Sequence, residues 1–242
     1  DLAVDALRAG RRVHYFGAGS SGRYGELDAA EIPPTYGLPP DRFVAHLAGG
    51  PDALLRAVEN VEDDEHAGRT DAADVAPYDV VLGLAASGRT PYARGALLAA
   101  RERPAATVLI SSNPAAPLAA AADVHVLLDT GPEVVTGSTR MKAGTAQKMA
   151  LHSFSTAVLV RLGRTYSNLM VDVAPNNAKL RARQLAILEM ATGAGGDECR
   201  AALALADGDL RVALVTTLAG TGPAEARERL AASGGNVRAA LR

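Results

Sequence analysis

Val13–Gly37 reads VHYFGAGSSGRYGELDAAEIPPTYG, and its reading decides the fold. A short apolar strand, Val13–Phe16, runs into a Gly-Ala-Gly-Ser-Ser-Gly turn and then into a helical stretch. Gly17, Gly19 and Gly22 let the backbone approach an anion closely, and Ser20 and Ser21 add hydroxyl donors. The helix that starts there aims its free N–H groups and the positive end of its dipole at the same point. That is how a phosphate cradle is built. Near the far end of the helix stands a carboxylate, Glu31, followed by Ile32-Pro33-Pro34. The proline pair is expected to end the helix and hold Glu31 near the rim, as a group able to move protons on what the phosphate anchors.

Outward from this stretch, strand-like runs recur with helical patterns between them. Arg12–Phe16, Phe43–Leu47, Val80–Leu84, Thr107–Ile110 and Val124–Leu128 are short and nearly continuous in apolar residues. Such runs suit strands covered on both faces. Ser21–Ala30, Pro51–Glu59, Pro91–Arg101 and Pro114–Ala121 carry the helical patterns, and Met141–Arg161 is a long, largely buried helix. The alternation predicts an α/β fold with a parallel sheet and right-handed crossovers. Beyond Asn176 only helical pieces follow: Lys179–Ala191, Asp197–Ala206, Asp209–Leu218, Pro223–Ala232 and Gly235–Leu241. We therefore expect two domains, a sheet domain over 1–176 and a small all-helical domain over 177–242.

Composition narrows the partners. The 242 residues are 48% hydrophobic, enough for a real core, and the net charge is −2 with no basic block. Nucleic acid and an anionic membrane are therefore not expected partners. The single Cys199 rules out an internal disulfide and fits a reducing cytoplasm. No apolar run has the length of a membrane span, and no signal peptide is visible. Asp1 in place of Met leads us to expect that the natural chain starts further upstream.

Two more loops resemble the first. Ala86-Ser87-Gly88-Arg89-Thr90-Pro91 follows a strand and opens a helix, with Ser87, Gly88 and Thr90 as candidate ligands. Thr136-Gly137-Ser138-Thr139-Arg140-Met141-Lys142 precedes the long helix, with Ser138 and Thr139 as candidates beside two cations. In a parallel sheet all three loops fall on the carboxyl-end rim. One such loop is ordinary helix–sheet packing, whereas three converging loops point to a phosphate ester. The first is no P-loop, because it lacks the Gly-Lys-Ser/Thr ending. A dinucleotide site is disfavoured, since no acidic residue ends Phe43–Leu47.

Glu62 lies in an acidic run with Glu59, Asp63, Asp64 and Glu65, whose other members read as a solvated helix face. No part of the run has clear metal-ligand spacing. His14, His46 and His125 lie within strands and read as packed residues, and no Ser-His-Asp or Cys-His arrangement emerges. Lys179 and Arg183, four apart, share a helix face; a surface pair is the simple reading and an anion contact from a lid the sharper one.

Taken together, the motifs resemble one family. They are GAGSSGR (17–23), LDAAEIPPTYG (27–37), AASGRTPY (85–92), SSNP (111–114), EVVTGSTRMKAGTAQK (133–148) and NLMVDVAPNNAKLRARQ (168–184). In this order they are similar to the N-acetylmuramic acid 6-phosphate etherases, a family of the sugar isomerase (SIS) domain superfamily related to glucokinase regulatory protein. Ala30 and Ile32 stand where the family commonly has serine and cysteine. The resemblance implies a three-layer, flavodoxin-like SIS domain followed by a helical domain. It also implies a homodimer and a lyase needing no metal or redox cofactor. The implied reaction cleaves the D-lactyl ether of N-acetylmuramic acid 6-phosphate. By the same resemblance Glu31 is the catalytic acid and Glu62 a second catalytic glutamate, the better candidate for the base. Gly19, Ser20, Ser21, Ser87, Gly88, Thr90, Ser138 and Thr139 hold phosphate and sugar hydroxyls, and Lys179 and Arg183 match a basic pair of the helical lid. Two rivals share the cradle: an aldose–ketose isomerase, opposed by Glu31-Ile32-Pro33-Pro34-Thr35 and Arg140-Met141-Lys142, and a non-catalytic sugar-phosphate sensor, opposed by the presence of Glu31.

Overall fold

The computed structural model describes residues 1–173, 175 and 177–242; Ala174 and Asn176, the latter marking the expected domain boundary, lie outside the described residues. After a first helix, α1 (Leu2–Arg8), the chain enters β1 (Val13–Gly17), α2 (Gly19–Tyr36) and β2 (Phe43–Leu47). Next come α3 (Asp52–Leu55), α4 (Glu65–Asp71), β3 (Val80–Leu84), α5 (Pro91–Glu102), β4 (Ala106–Ser111) and β5 (Val124–Leu127). The long α6 (Lys142–Arg161) leads to a two-residue hairpin, β6 (Thr165–Tyr166) with β7 (Leu169–Met170). Five helices close the chain: α7 (Ala178–Thr192), α8 (Gly196–Leu205), α9 (Leu210–Ala219), α10 (Pro223–Ala232) and α11 (Val237–Ala240).

The five strands β2-β1-β3-β4-β5 form one sheet in that order, every pair parallel. The chain thus steps outward from β1 to β2 and then returns to the other side of β1 for β3. That reversal makes the carboxyl ends of β1 and β3 a topological switch point, where the two following loops part and leave a crevice. Side chains alternate across the sheet as the pleat requires. Phe16, Val81 and Leu109 join Tyr92 and Leu97 of α5 in one core, while Tyr15 and Leu84 face Gly25 of α2.

By contact density the chain divides into two units, Asp1–Glu31 with Pro39–Thr156, and Ile32–Leu38 with Ala157–Arg242. The second has its own core, in which Leu188, Leu210, Leu214 and Cys199 are buried.

Three expectations change. Pro33 and Pro34 do not end α2, which continues to Tyr36. Each proline removes one N–H, but their fixed φ is helical and Gly37 N–H still closes on the Pro33 carbonyl. The expected helix over Pro51–Glu59 shrinks to four residues, because Arg56 is extended and Asn60 is left-handed. The stretch after Pro114 makes only a 3-10 turn, Pro117–Ala121. The hairpin β6–β7 was not expected, since two-residue strands carry no periodicity.

Candidate active site

Three of the loops converge at the switch point. A cavity of about 360 Å³ opens there. Gly19, Ser20 and Ser21 line it from the first loop, Ser87, Arg89 and Thr90 from the second, and Thr139 from the third. Glu62 and Asp63 close another side, and Gly144 and Gln147 of α6 contribute as well. Local chemistry explains each placement. A Cβ on Gly22 would lie 2.4 Å from the Gly17 carbonyl oxygen, so only glycine lets α2 start this close to the end of β1. Gly88 has φ +65°, and a Cβ there would lie 2.3 Å from Ala116 Cβ. Gly88 itself is buried; it shapes the loop, and Asn113 Nδ2 secures it by donating to the Ser87 carbonyl at 2.8 Å. Arg23 is occupied elsewhere, its guanidinium donating to the carbonyls of Ala53, Leu54 and Arg56.

Several lining residues were not expected, among them Asp63, which was read as part of a solvated helix face, Arg89 and Gln147. Arg89 was quoted in its loop but not counted as a ligand, yet it brings the guanidinium of the cavity wall. Gln147 is 2% exposed, and neither amide atom has a hydrogen-bond partner. A buried glutamine without a partner is the signal, and no sequence pattern shows it.

Other candidates fall elsewhere. Ser138 lines a separate pocket with Glu133, Val135, Arg140 and Met141. Lys142, one of the two expected cations, donates to the Thr130 and Pro132 carbonyls and so folds its own loop. Glu133 accepts from the N–H groups of Lys142 and Ala143 at the start of α6, which pulls its carboxyl below the usual range. Lys179 and Arg183 lie exposed on one face of α7 in the second unit. Within the acidic run, Asp64 caps α4 by accepting from Ala67 N–H at 2.8 Å, and Glu65 pairs with Arg94. Asp64 is solvent-exposed as expected and Glu65 half-buried, and both also have these local partners.

Glu31 does not line the cavity. It is exposed, eleven residues beyond Ser20 on α2, a rise of about 16 Å. The proline pair does not hold it at the carboxyl-end rim, because α2 runs back over the sheet. Gly25 packs on Tyr15, and Tyr15 Oη donates to Asp28 Oδ2 at 2.8 Å. Asp28, 2% exposed, also faces His152 Nδ1 at 2.6 Å and accepts from Ser155 Oγ at 2.8 Å, which ties α2 to α6.

On the opposite sheet face His14 and His46 meet. Their facing nitrogens are 3.1 Å apart and the ring centroids 5.4 Å, so the rings lie edge to edge. His14 Nε2 faces Asp79 Oδ2 at 3.2 Å, which leaves Nδ1 to accept from His46 Nε2–H. Among the described residues, His14, His46 and Asp74 bring ligating atoms within 4.8 Å. The His14 Nδ1 lone pair is taken by His46 Nε2–H, however, and Asp74 pairs with Arg12. Burial pushes His46 down to about 4, with His14 as the next cause, and lowers His14 too.

A five-stranded parallel sheet with a hydroxyl-lined cavity at its β1/β3 switch point fits the architecture of a SIS domain. Family models agree: the SIS domain matches residues 55–157, and the glucokinase regulatory protein N-terminal SIS domain matches 2–101. The chain is 60% identical over 218 residues to the N-acetylmuramic acid 6-phosphate etherase of Thermobifida fusca, covering 90% of this chain and 72% of that protein. The enzymes of the same name from Deinococcus radiodurans (52% identical; 89% and 71% covered) and Pectobacterium atrosepticum (51%; 90% and 73%) match over similar spans. The chain belongs to the N-acetylmuramic acid 6-phosphate etherase family.

Proposed function

We propose that the chain cleaves the D-lactyl ether of N-acetylmuramic acid 6-phosphate, giving N-acetylglucosamine 6-phosphate and D-lactate. The observation that carries this is the meeting of three hydroxyl-bearing loops, Arg89 and Glu62 around one cavity, within a chain of this family. Its volume of about 360 Å³ suits a small polar ligand. The 6-phosphate is assigned to Gly19, Ser20, Ser21, Ser87, Thr90 and Thr139, with Arg89 opposing its charge and Gly88 shaping the second loop. Ser138 belongs with the third loop, and Lys179 and Arg183 are proposed as anion contacts of the helical part. In the open-chain sugar the C1 aldehyde acidifies C2. Glu62 takes the C2 proton, the C3–O bond breaks, and Glu31 in its acid form protonates the departing lactate oxygen. Water then adds at C3, giving its proton to Glu31, while Glu62 returns a proton to C2.

The same reading assigns the catalytic SIS domain to 1–176 and the helical domain to 177–242, makes the protein a homodimer, and places it in the cytoplasm. Among the described residues no helix is long and apolar enough to cross a membrane.

The test is incubation of the purified protein with N-acetylmuramic acid 6-phosphate, followed by assay of D-lactate and N-acetylglucosamine 6-phosphate. Equal release of both is the expected result. Binding of the sugar phosphate by the dimer without lactate would instead indicate a sensor.

A further inference from the structure

The two proposed catalytic glutamates do not meet within one chain. Glu62 lines the cavity at the carboxyl end of the sheet. Glu31 lies at the other end of the α2 segment that begins there. From Ser20 to Glu31 the helix rises about 16 Å, as far as the five residues of β1 extend, and no glutamate side chain spans that. The contacts of Gly25 and Asp28 with Tyr15 fix the direction of the helix, back toward the amino end of β1.

The outer face of α2 shows what brings the two ends together. Ser20, Tyr24, Leu27 and Glu31 recur at i, i+4, i+7 and i+11, so they form one stripe. Leu27 is 44% exposed in its middle, and on the adjoining α6 Met149 is 61% exposed. A two-fold axis crossing this stripe midway, near Gly25 and Glu26, sets two α2 helices antiparallel. It covers both Leu27 side chains, and residue 31 of each copy falls opposite residue 20 of the other.

We propose that Glu31 works in trans: each cavity, with its own Glu62, is completed by the partner's Glu31, delivered by antiparallel pairing of the α2 helices of two copies. This rests on the etherase reading and gives the homodimer a chemical reason. An isolated chain then binds the sugar phosphate but does not release lactate.

The experiment mixes two inactive variants of the full chain, Glu31→Gln and Glu62→Gln, by co-expression with different tags, and purifies the mixture. In a heterodimer one site keeps both glutamates and the other has neither. Random assortment therefore restores about a quarter of the wild-type lactate release, although each variant alone gives none. If tag capture shows heterodimers and no activity returns, the proposal is overturned. Activity in either variant alone overturns it as well. Wild-type protein that is dimeric by light scattering and releases no lactate refutes the etherase reading itself, a separate outcome read in the same assay. Leu27→Glu is the second arm: it should leave monomers that bind N-acetylglucosamine 6-phosphate but have lost lactate release. Monomers as active as the wild-type dimer would overturn the proposal.

Discussion

Arg89 and Asp28 show how two charged side chains a few turns from the same crevice take different work. Arg89 is exposed on the cavity wall, where a guanidinium can fork onto phosphate oxygens. Arg89→Ala should weaken binding of N-acetylglucosamine 6-phosphate by about 10- to 100-fold. Binding of the unphosphorylated sugar should not change, and calorimetric titration of both ligands separates the effects. Asp28 is buried and takes Tyr15, His152 and Ser155 at once. Asp28→Ala leaves two hydroxyls and an imidazole without their acceptor and should cost about 3 kcal/mol, read from urea unfolding. Tyr15 shares in this: its hydroxyl is pushed well above its ordinary range by burial first and by the Asp28 carboxylate second. From the sequence, Asp28 was one more letter of a motif. Its role depends on a residue 124 positions away on α6, a separation no local pattern spans.

At the scale of elements, the strands were legible and several helices were not. All five apolar runs emerged as strands within two residues of their ends; β1 and β3 are covered on both faces as expected, whereas β5 at the sheet edge is largely exposed. The glycine turns that open α2 and α5 were equally legible, because glycine and hydroxyl spacing is local chemistry. What stayed hidden depends on packing: the persistence of α2 through two prolines, the collapse of the Pro51–Glu59 helix, and the edge-to-edge histidines joining β1 to β2. That histidine pair makes a prediction about pH. His46 titrates near 4 in the folded chain against about 6.5 unfolded, so between those values the unfolded chain binds more protons. The stability that His46 governs should therefore fall as pH drops from about 6.5 to 4, by on the order of 1–3 kcal/mol after allowance for partial exposure, and His46 adds no further loss below 4. His46 stacks on Phe16 with centroids 4.1 Å apart, so His46→Phe keeps the aromatic contact. Thermal melts across that range should show a flatter profile for His46→Phe than for wild type.

For the whole molecule, ligand binding and stability are linked. A ligand that occupies only the folded cavity, at 100 times its Kd, adds about 2.7 kcal/mol. N-acetylglucosamine 6-phosphate should therefore raise the melting temperature of wild type and of Glu31→Gln alike, while Arg89→Ala at the same ligand concentration gains less. Scanning calorimetry checks all three. The reach of the sequence at this scale was uneven. Motif order carried the family, and the family carried both glutamates. Yet a list of motif residues has no geometry, so Glu31 was expected near the rim when α2 carries it about 16 Å away from the cavity that Glu62 lines.

That helix has one more consequence. Pro33 and Pro34 donate nothing back along α2, so the carbonyls of Ala29 and Ala30 lack their helical donors. Ala29 is half-buried and Ala30 exposed, which leaves both oxygens within reach of water, one turn or less from Glu31. Any surface that closes over this end of α2 strips that water away and must present N–H or O–H groups in its place. The missing donors thus act as a selectivity filter: a purely greasy neighbour is rejected, and a neighbour carrying donors at the right height is admitted.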